Sequence, residues 1–186
     1  MPQRPPFAAY NIGYDAVSWL ERELEHDMKN VQEAEVGEPG DEQKAEKMRR
    51  SKVAWSHNEG IRNFLIRNFS GANRIFFGYD VRDVYDIQYS EYDSSYKGHY
   101  DWHIDCSKDG MPDRWYERKL SMSLQLSGPD DYEGGLLEIQ GVEIDDQWRE
   151  KGTVIVFPST KLHRVTPVTS GKRKALVSWM EGPQSV

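Results

Sequence analysis

His103 and Asp105 are separated by a single residue. In an extended strand, residues i and i+2 project to the same face, so these two side chains can grip one ion. His163 follows the apolar run Val154-Ile-Val-Phe-Pro158, at the start of another candidate strand. Two imidazoles and one carboxylate that leave three positions open form the facial triad of non-heme Fe(II) chemistry. Such a set leaves bound Fe²⁺ with a net charge of about +1, which suits a dianionic chelator and frees one position for O₂. Zinc takes the same donors, so the triad alone leaves the metal open.

Arg173 sharpens the choice. It stands in Gly171-Lys-Arg-Lys174, beyond the third candidate ligand. Its guanidinium offers a planar fork for a carboxylate, which suits the far end of 2-oxoglutarate. Lys172 and Lys174 fall on the other side of a strand and read as solvated. His99 and His103 have the spacing of a zinc pair on a helix, but Gly98 and the intervening Tyr-Asp-Trp favour extended chain. His99 therefore reads as a surface or pocket-rim residue. His26 lies on a charged helical face, and His57 in the first turn of a helix. Cys106 adjoins Asp105 and reads as a small strand residue facing away from it. Trp102 and Trp179 can line a pocket, and core packing explains either equally well. The stretch Ser107–Glu117 carries Arg114, Trp115 and Tyr116 beside the candidate centre, as a substrate lid or an ordinary connection. Trp115, Tyr116, Arg114 and Trp179 are the candidate substrate-pocket residues.

These side chains need a scaffold of strands. From about Arg74 onward the apolar pattern has period two, clearest in Leu120-Ser-Met-Ser-Leu-Gln-Leu-Ser127, a strand with one face buried. Val84–Tyr92, Leu136–Gln140, Thr153–Phe157 and Lys174–Met180 are shorter candidates, with Gly134-Gly135, Gly152 and Ser170-Gly171 as turns. Helical periodicity comes earlier. Val17, Leu20, Leu24, Met28 and Val31 share one face of a helix over Asp15–Val31, with Asp15 as its N-cap. Ser56-His-Asn-Glu59 fits a capping box for a second helix carrying Ile61, Phe64, Leu65 and Phe69 and ending at Ser70-Gly71. Between them, Glu33–Arg50 reads as a mobile acidic loop that becomes helical or extended toward Arg49-Arg50. Helices first and strands afterward suggest a helix-flanked β-sandwich, and the strand spacing fits a two-sheet jelly roll.

Composition narrows the function classes. A chain of 186 residues fits one compact domain. Six Trp, ten Tyr and six Phe supply a core and argue against disorder. The net charge of −7 argues against binding a phosphate backbone. The single cysteine excludes an internal disulfide framework and a cysteine-based zinc site. No apolar run approaches the roughly 18 residues of a membrane span, and the first residues have no apolar signal core, so a cytoplasmic protein is expected.

Several segments occur together in a fixed order: Tyr100-Asp-Trp-His-Ile-Asp105, Arg118-Lys-Leu-Ser-Met-Ser-Leu-Gln-Leu-Ser127, Tyr132-Glu-Gly-Gly-Leu136, Gly152-Thr-Val-Ile-Val-Phe-Pro158 and Leu162-His-Arg-Val-Thr-Pro-Val168, followed by Gly171-Lys-Arg173 and Val177-Ser-Trp179. In these the chain resembles the Fe(II)/2-oxoglutarate-dependent dioxygenases of the prolyl 4-hydroxylase-like type, especially short bacterial and viral members, over roughly residues 50–182. The resemblance implies a mainly β fold with flanking α-helices, a double-stranded β-helix (jelly roll, cupin-like). It implies one dioxygenase domain over residues 1–186, with a helical buttress at about 14–70 and a jelly-roll core at about 74–182. It implies Fe(II) on His103, Asp105 and His163, and 2-oxoglutarate on Arg173, Tyr100 and Tyr92. Many relatives carry Lys in place of Arg173, and the turn Ser94-Ser-Tyr-Lys-Gly98 differs in length from the common pattern beside Tyr92.

The implied reaction hydroxylates a C–H bond with O₂, giving succinate and CO₂ from 2-oxoglutarate. The expected substrate is a prolyl residue in a peptide or protein. Ascorbate as iron reductant follows from family habit alone, as does a host-cytoplasm location for a viral member. The alternatives are an oxygenase of a free amino acid or small metabolite, a nucleic-acid demethylase, which the charge disfavours, and a non-catalytic metal-binding jelly roll.

Overall fold

The computed structural model describes residues 5–34, 47–106, 116–143 and 145–184. Alternating sequence becomes strand and 3.6-periodic sequence becomes helix. Strand β1 (Ala8–Asn11) precedes helices α1 (Tyr14–Glu23) and α2 (Glu25–Lys29). Short strands β2 (Gln32–Glu33), β3 (Arg49–Arg50) and β4 (Lys52–Trp55) lead to α3 (Glu59–Ala72). The strand-rich half holds β5 (Asp83–Asp93), β6 (His99–His103), β7 (Tyr116–Gln125), β8 (Tyr132–Gly134), β9 (Leu137–Ile139), β10 (Thr153–Pro158), β11 (His163–Val165) and β12 (Val168–Pro183).

The larger sheet runs β1-β10-β7-β12-β5-β4-β2, with β8 paired to the start of β12; the smaller runs β3-β6-β11-β9. Every pairing is antiparallel. One face of the larger sheet takes the helices. Leu120, Met122 and Leu124 of β7, with Ile87 and Tyr89 of β5, pack in one cluster with Val17 and Leu20 of α1 and Ile61, Leu65 and Phe69 of α3. Each such large apolar side chain contributes roughly 1.5–3 kcal/mol on burial. A second cluster, including Ile155, Phe157, Leu137, Ile139 and Val165, joins residues of both sheets.

The opposite face of β7 was expected to be solvated. It is buried: Ser121, Ser123 and Gln125 are at most 6 % exposed. They point into the space between the sheets, so this strand's polar residues serve an enclosed site.

The helical details depart from expectation. The first helix breaks at Leu24 into α1 and α2, and its N-cap is Gly13, with Asp15 inside the first turn. For α3 the N-cap is Asn58, whose side chain accepts from the Ile61 N–H at 3.1 Å. Ser56 sits too early for the cap, and its hydroxyl accepts weakly from the Asn58 N–H at 3.4 Å. That helix does not stop at Ser70-Gly71 but runs into a π-turn over Asn73–Phe77, closed by Gly78 in left-handed conformation at φ 66°. Most of the acidic stretch expected to be mobile, and residues 107–115 of the candidate lid, lie outside the described residues. Arg49-Arg50 is extended, one of the two outcomes expected. Among the described residues no helix is long and apolar enough to cross a membrane.

Candidate metal centre

Register brings the triad together. Antiparallel pairing sets His163 of β11 directly opposite His103 of β6. Asp105 follows β6, where the chain turns and its N–H donates to the Ser159 carbonyl at 3.0 Å. One candidate ligand atom from each of the three residues lies within 4.8 Å of the others.

Backbone carbonyls orient both imidazoles. His103 Nδ1 is 2.8 Å from the Asp101 carbonyl, and His163 Nδ1 is 2.9 Å from the Lys161 carbonyl. A carbonyl oxygen only accepts, so each Nδ1 carries a proton and each neutral ring presents an Nε2 lone pair. Those Nε2 atoms face Asp105, 3.6 Å from Oδ1 and 3.5 Å from Oδ2. Acceptors thus face an acceptor, an arrangement that a cation among them satisfies. The donor set suits Fe(II) and equally suits zinc.

At His103, burial favours the neutral ring. Burial pushes His103 down to about 4, with neighbouring His163 adding to the effect and Asp105 opposing it. Burial works against charge on Asp105, but His163, His103 and the Ser121 hydroxyl together hold its carboxyl below the usual carboxylate range. Ser121 Oγ donates to Asp105 Oδ2 at 2.5 Å and lies 2.9 Å from Ser159 Oγ. The Tyr100 ring stacks on His103 at 3.5 Å, and Phe157 meets His163 edge-on at 4.7 Å between centroids.

A cavity of about 210 Å³ opens on this centre, with Arg173, Tyr92 and Tyr100 in its wall. Arg173 is 1 % exposed, yet no described carboxylate pairs with it. Its Nη2 lies 3.4 Å from Ser123 Oγ, and its guanidinium is 5.4 Å from the centre of the Tyr92 ring, its cross-strand neighbour. A buried cation held only by neutral groups is costly unless an anion joins it. Trp179 lines the cavity too. Its buried indole N–H is near enough to Asp105 to favour that charge, yet completes no hydrogen bond among the described residues.

Of the other substrate-pocket candidates, Tyr116 begins β7 outside the cavity wall, and Arg114 and Trp115 lie outside the described residues. Cys106 is half-buried, with Sγ 4.0 Å from a Glu117 carboxylate oxygen. Sequence reasoning missed Arg49, Trp55, Gln88, Ser121 and Ser123 in the cavity wall. The two serines carried a signal, as regular polar positions in a strand flanked by strands. Arg49 carried none, since it closes a charge run.

The model of the 2OG-Fe(II) oxygenase superfamily matches residues 87–181, just over half of the chain. A PKHD-type hydroxylase of Hyphomonas neptunium is 43 % identical over 83 residues, 44 % of this chain and 37 % of that protein. The chain spans about half or less of the length of the curated relatives it matches, 36–54 %. Among solved structures, a Pseudomonas putida prolyl-4-hydroxylase superposes with TM-score 0.71 at 20 % identity, covering 96 % of this chain and 94 % of that one. A Trichoplax adhaerens prolyl hydroxylase, in complex with a hypoxia inducible factor peptide fragment, gives 0.69 at 18 % identity, covering 94 % and 83 %. At these identities the likeness establishes the fold, the double-stranded β-helix of prolyl hydroxylases.

Proposed function

The chain belongs to the 2OG-Fe(II) oxygenase superfamily, and on that premise we propose that it is a 2-oxoglutarate-dependent dioxygenase hydroxylating a prolyl residue in a peptide or protein. One observation carries the oxygenase reading. Two imidazole lone pairs converge on a buried carboxylate, in a cavity that also holds a buried guanidinium without a described carboxylate. His103, Asp105 and His163 would hold Fe(II), and Arg173, supported by Ser123 and Tyr92, would receive the distal carboxylate of 2-oxoglutarate. Tyr100 would flank the cosubstrate from its stacked position on His103. Fe(II) bound there supplies the redox chemistry that couples decarboxylation of 2-oxoglutarate by O₂ to oxidation of a C–H bond. The protein's part is to fix the ligand tautomers through Asp101 and Lys161, to hold Asp105 ionised through Ser121, and to line the cavity with apolar surface from Phe157 and Trp179. The prolyl substrate is supported by the prolyl hydroxylases among the structural neighbours, one of them bound to a peptide.

A free acid, such as an amino acid, is the second reading, and Arg49 favours it. Its guanidinium lines the cavity on Ser51 and Gln88, at 2.7 and 2.8 Å, with no described carboxylate paired to it.

The test loads the protein anaerobically with Fe(II) and follows succinate after O₂ is admitted, with proline-containing peptides, free amino acids or neither, and with or without ascorbate. Expected is oxygen-dependent succinate that His163→Ala abolishes and that Arg173→Ala reduces by raising the 2-oxoglutarate KM. Stimulation by a peptide selects the first substrate reading, and stimulation by an amino acid the second. Full turnover in His163→Ala would overturn the assignment of the centre, and a parallel metal titration reports loss of the ligand set independently of turnover.

A further inference from the structure

His99 differs from the two histidines of the centre in what its ring nitrogens meet. Nδ1 lies 2.9 Å from the Lys97 carbonyl and Nε2 lies 3.0 Å from the Lys47 carbonyl. Both partners are backbone oxygens, which only accept. A neutral imidazole has one N–H and satisfies one of them; the imidazolium satisfies both. The second bond joins segments far apart in sequence, because Lys47 immediately precedes the stretch that carries Arg49 into the cavity wall.

Among the described residues, a short strand pairing and the Arg49 side chain hold that stretch beside His99. Strand β3 is two residues long and pairs with β6 through Arg49 opposite Tyr100 and Arg50 opposite His99. Arg49 lies over the Tyr100 ring at 4.6 Å, and Tyr100 in turn stacks on His103. The position of β3 therefore sets one wall of the cavity beside the cosubstrate-facing tyrosine.

We propose that His99 is a positioning residue, a proton-dependent latch that in its imidazolium form fastens β3, and with it Arg49, against the cavity. Its neutral form releases one of the two carbonyls and leaves the wall looser. Among the described residues, the charged side chains on the segments that meet at His99 are those of Lys47, Arg49 and Arg50 beside β3, Lys97 in its own turn and Asp101 further along β6. The latch engages when the ring holds both protons, because only then do both of its nitrogens donate to the Lys97 and Lys47 carbonyls. The latch stands on its own geometry; its consequence for substrate rests on the proposed function.

Amide hydrogen exchange of Arg49, Arg50 and Ser51, corrected for the intrinsic pH dependence of exchange, tests it in the metal-free full chain at pH 5.5 and 8.0. A charge-assisted hydrogen bond gained should raise protection roughly tenfold at the lower pH. His99→Phe should lower protection at both values and remove the difference. His99→Gln, whose side chain keeps N–H donors that do not titrate, should be flat with pH. The ¹⁵N shifts of the wild-type ring should report both nitrogens protonated in the protected state. Protection that is flat with pH in wild type, or a pH dependence that survives in His99→Phe, would overturn the latch. In the loaded enzyme, the substrate KM of wild type should rise with pH while that of His99→Gln does not, with kcat little affected. An enzyme without turnover would fail the oxygenase reading and leave the exchange result to decide the latch.

Discussion

A carboxylate that binds a metal with one oxygen benefits from having its rotation fixed by the other, and Ser121 is placed to do this for Asp105, the candidate ligand. The hydroxyl donates to Oδ2 at 2.5 Å and is itself buried against Ser159. Ser121→Ala removes the donor and lets the carboxylate turn away from the His103 and His163 lone pairs. Loss of such a supporting hydrogen bond typically costs 10–100-fold in metal affinity. We expect that range for Mn(II) titrated calorimetrically into the apoprotein, with a stability cost of only about 1 kcal/mol from the lost hydrogen bond. An affinity equal to wild type would mean that the two N–H bonds to the Ser159 carbonyl suffice to aim Asp105. Side chains such as this are visible in sequence only as small polar residues at alternate strand positions, because their role lies in a partner sixteen residues away rather than in their own chemistry.

Elements with long, strict alternation were legible, and short ones were legible only where a turn or a candidate ligand marked them. Strands β5, β7, β9, β10 and β12 follow from their apolar periods, and β6 and β11 from the extended chain read around the histidines, whereas β2 and β4 are two and four residues long and exist because longer neighbours offer them an edge. The same holds for β1, four residues paired to β10, which carries Tyr10 across to α3. The Tyr10 hydroxyl donates to Asn68 Oδ1 at 3.1 Å. Burial pushes this phenol up to about 12. The unfolded chain releases its proton near 10, so the folded state binds more protons between the two values. Stability from this group is therefore complete below about pH 10 and is lost as pH rises toward 12. Thermal melts across that interval should fall more steeply for wild type than for Tyr10→Phe. Equal slopes would show that the β1–α3 contact does not carry the alkaline loss. That His103, Asp105 and His163 come together was legible from one spacing and one later histidine; Arg49 was not, because only the fold brings that arginine beside Tyr100.

At the scale of the whole molecule, the candidate centre sits where the two sheets meet. His103 and His163 belong to the smaller sheet, on β6 and β11. Asp105 is tied to the larger one through Ser121 of β7 and the Ser159 carbonyl just beyond β10. A metal ion there cross-links the sheets and relieves the facing of acceptors in its absence. Binding should therefore stabilise the native state by mass action, about 2.7 kcal/mol at a free metal concentration of 100 times Kd. Neither apolar cluster includes His103, Asp105 or His163, so the apoprotein should remain folded and unfold cooperatively at a lower Tm. Asp105→Ala should abolish the metal-dependent rise in Tm, because it removes both a ligand and the tie to β7. Adding 2-oxoglutarate to the Mn(II)-loaded protein should raise Tm further in wild type and much less in Arg173→Ala, whose cavity lacks the anchoring cation. If metal left Tm unchanged while binding was demonstrated calorimetrically, the ion would be held by one sheet alone, and the bracing role argued from Ser121 and Ser159 would fall.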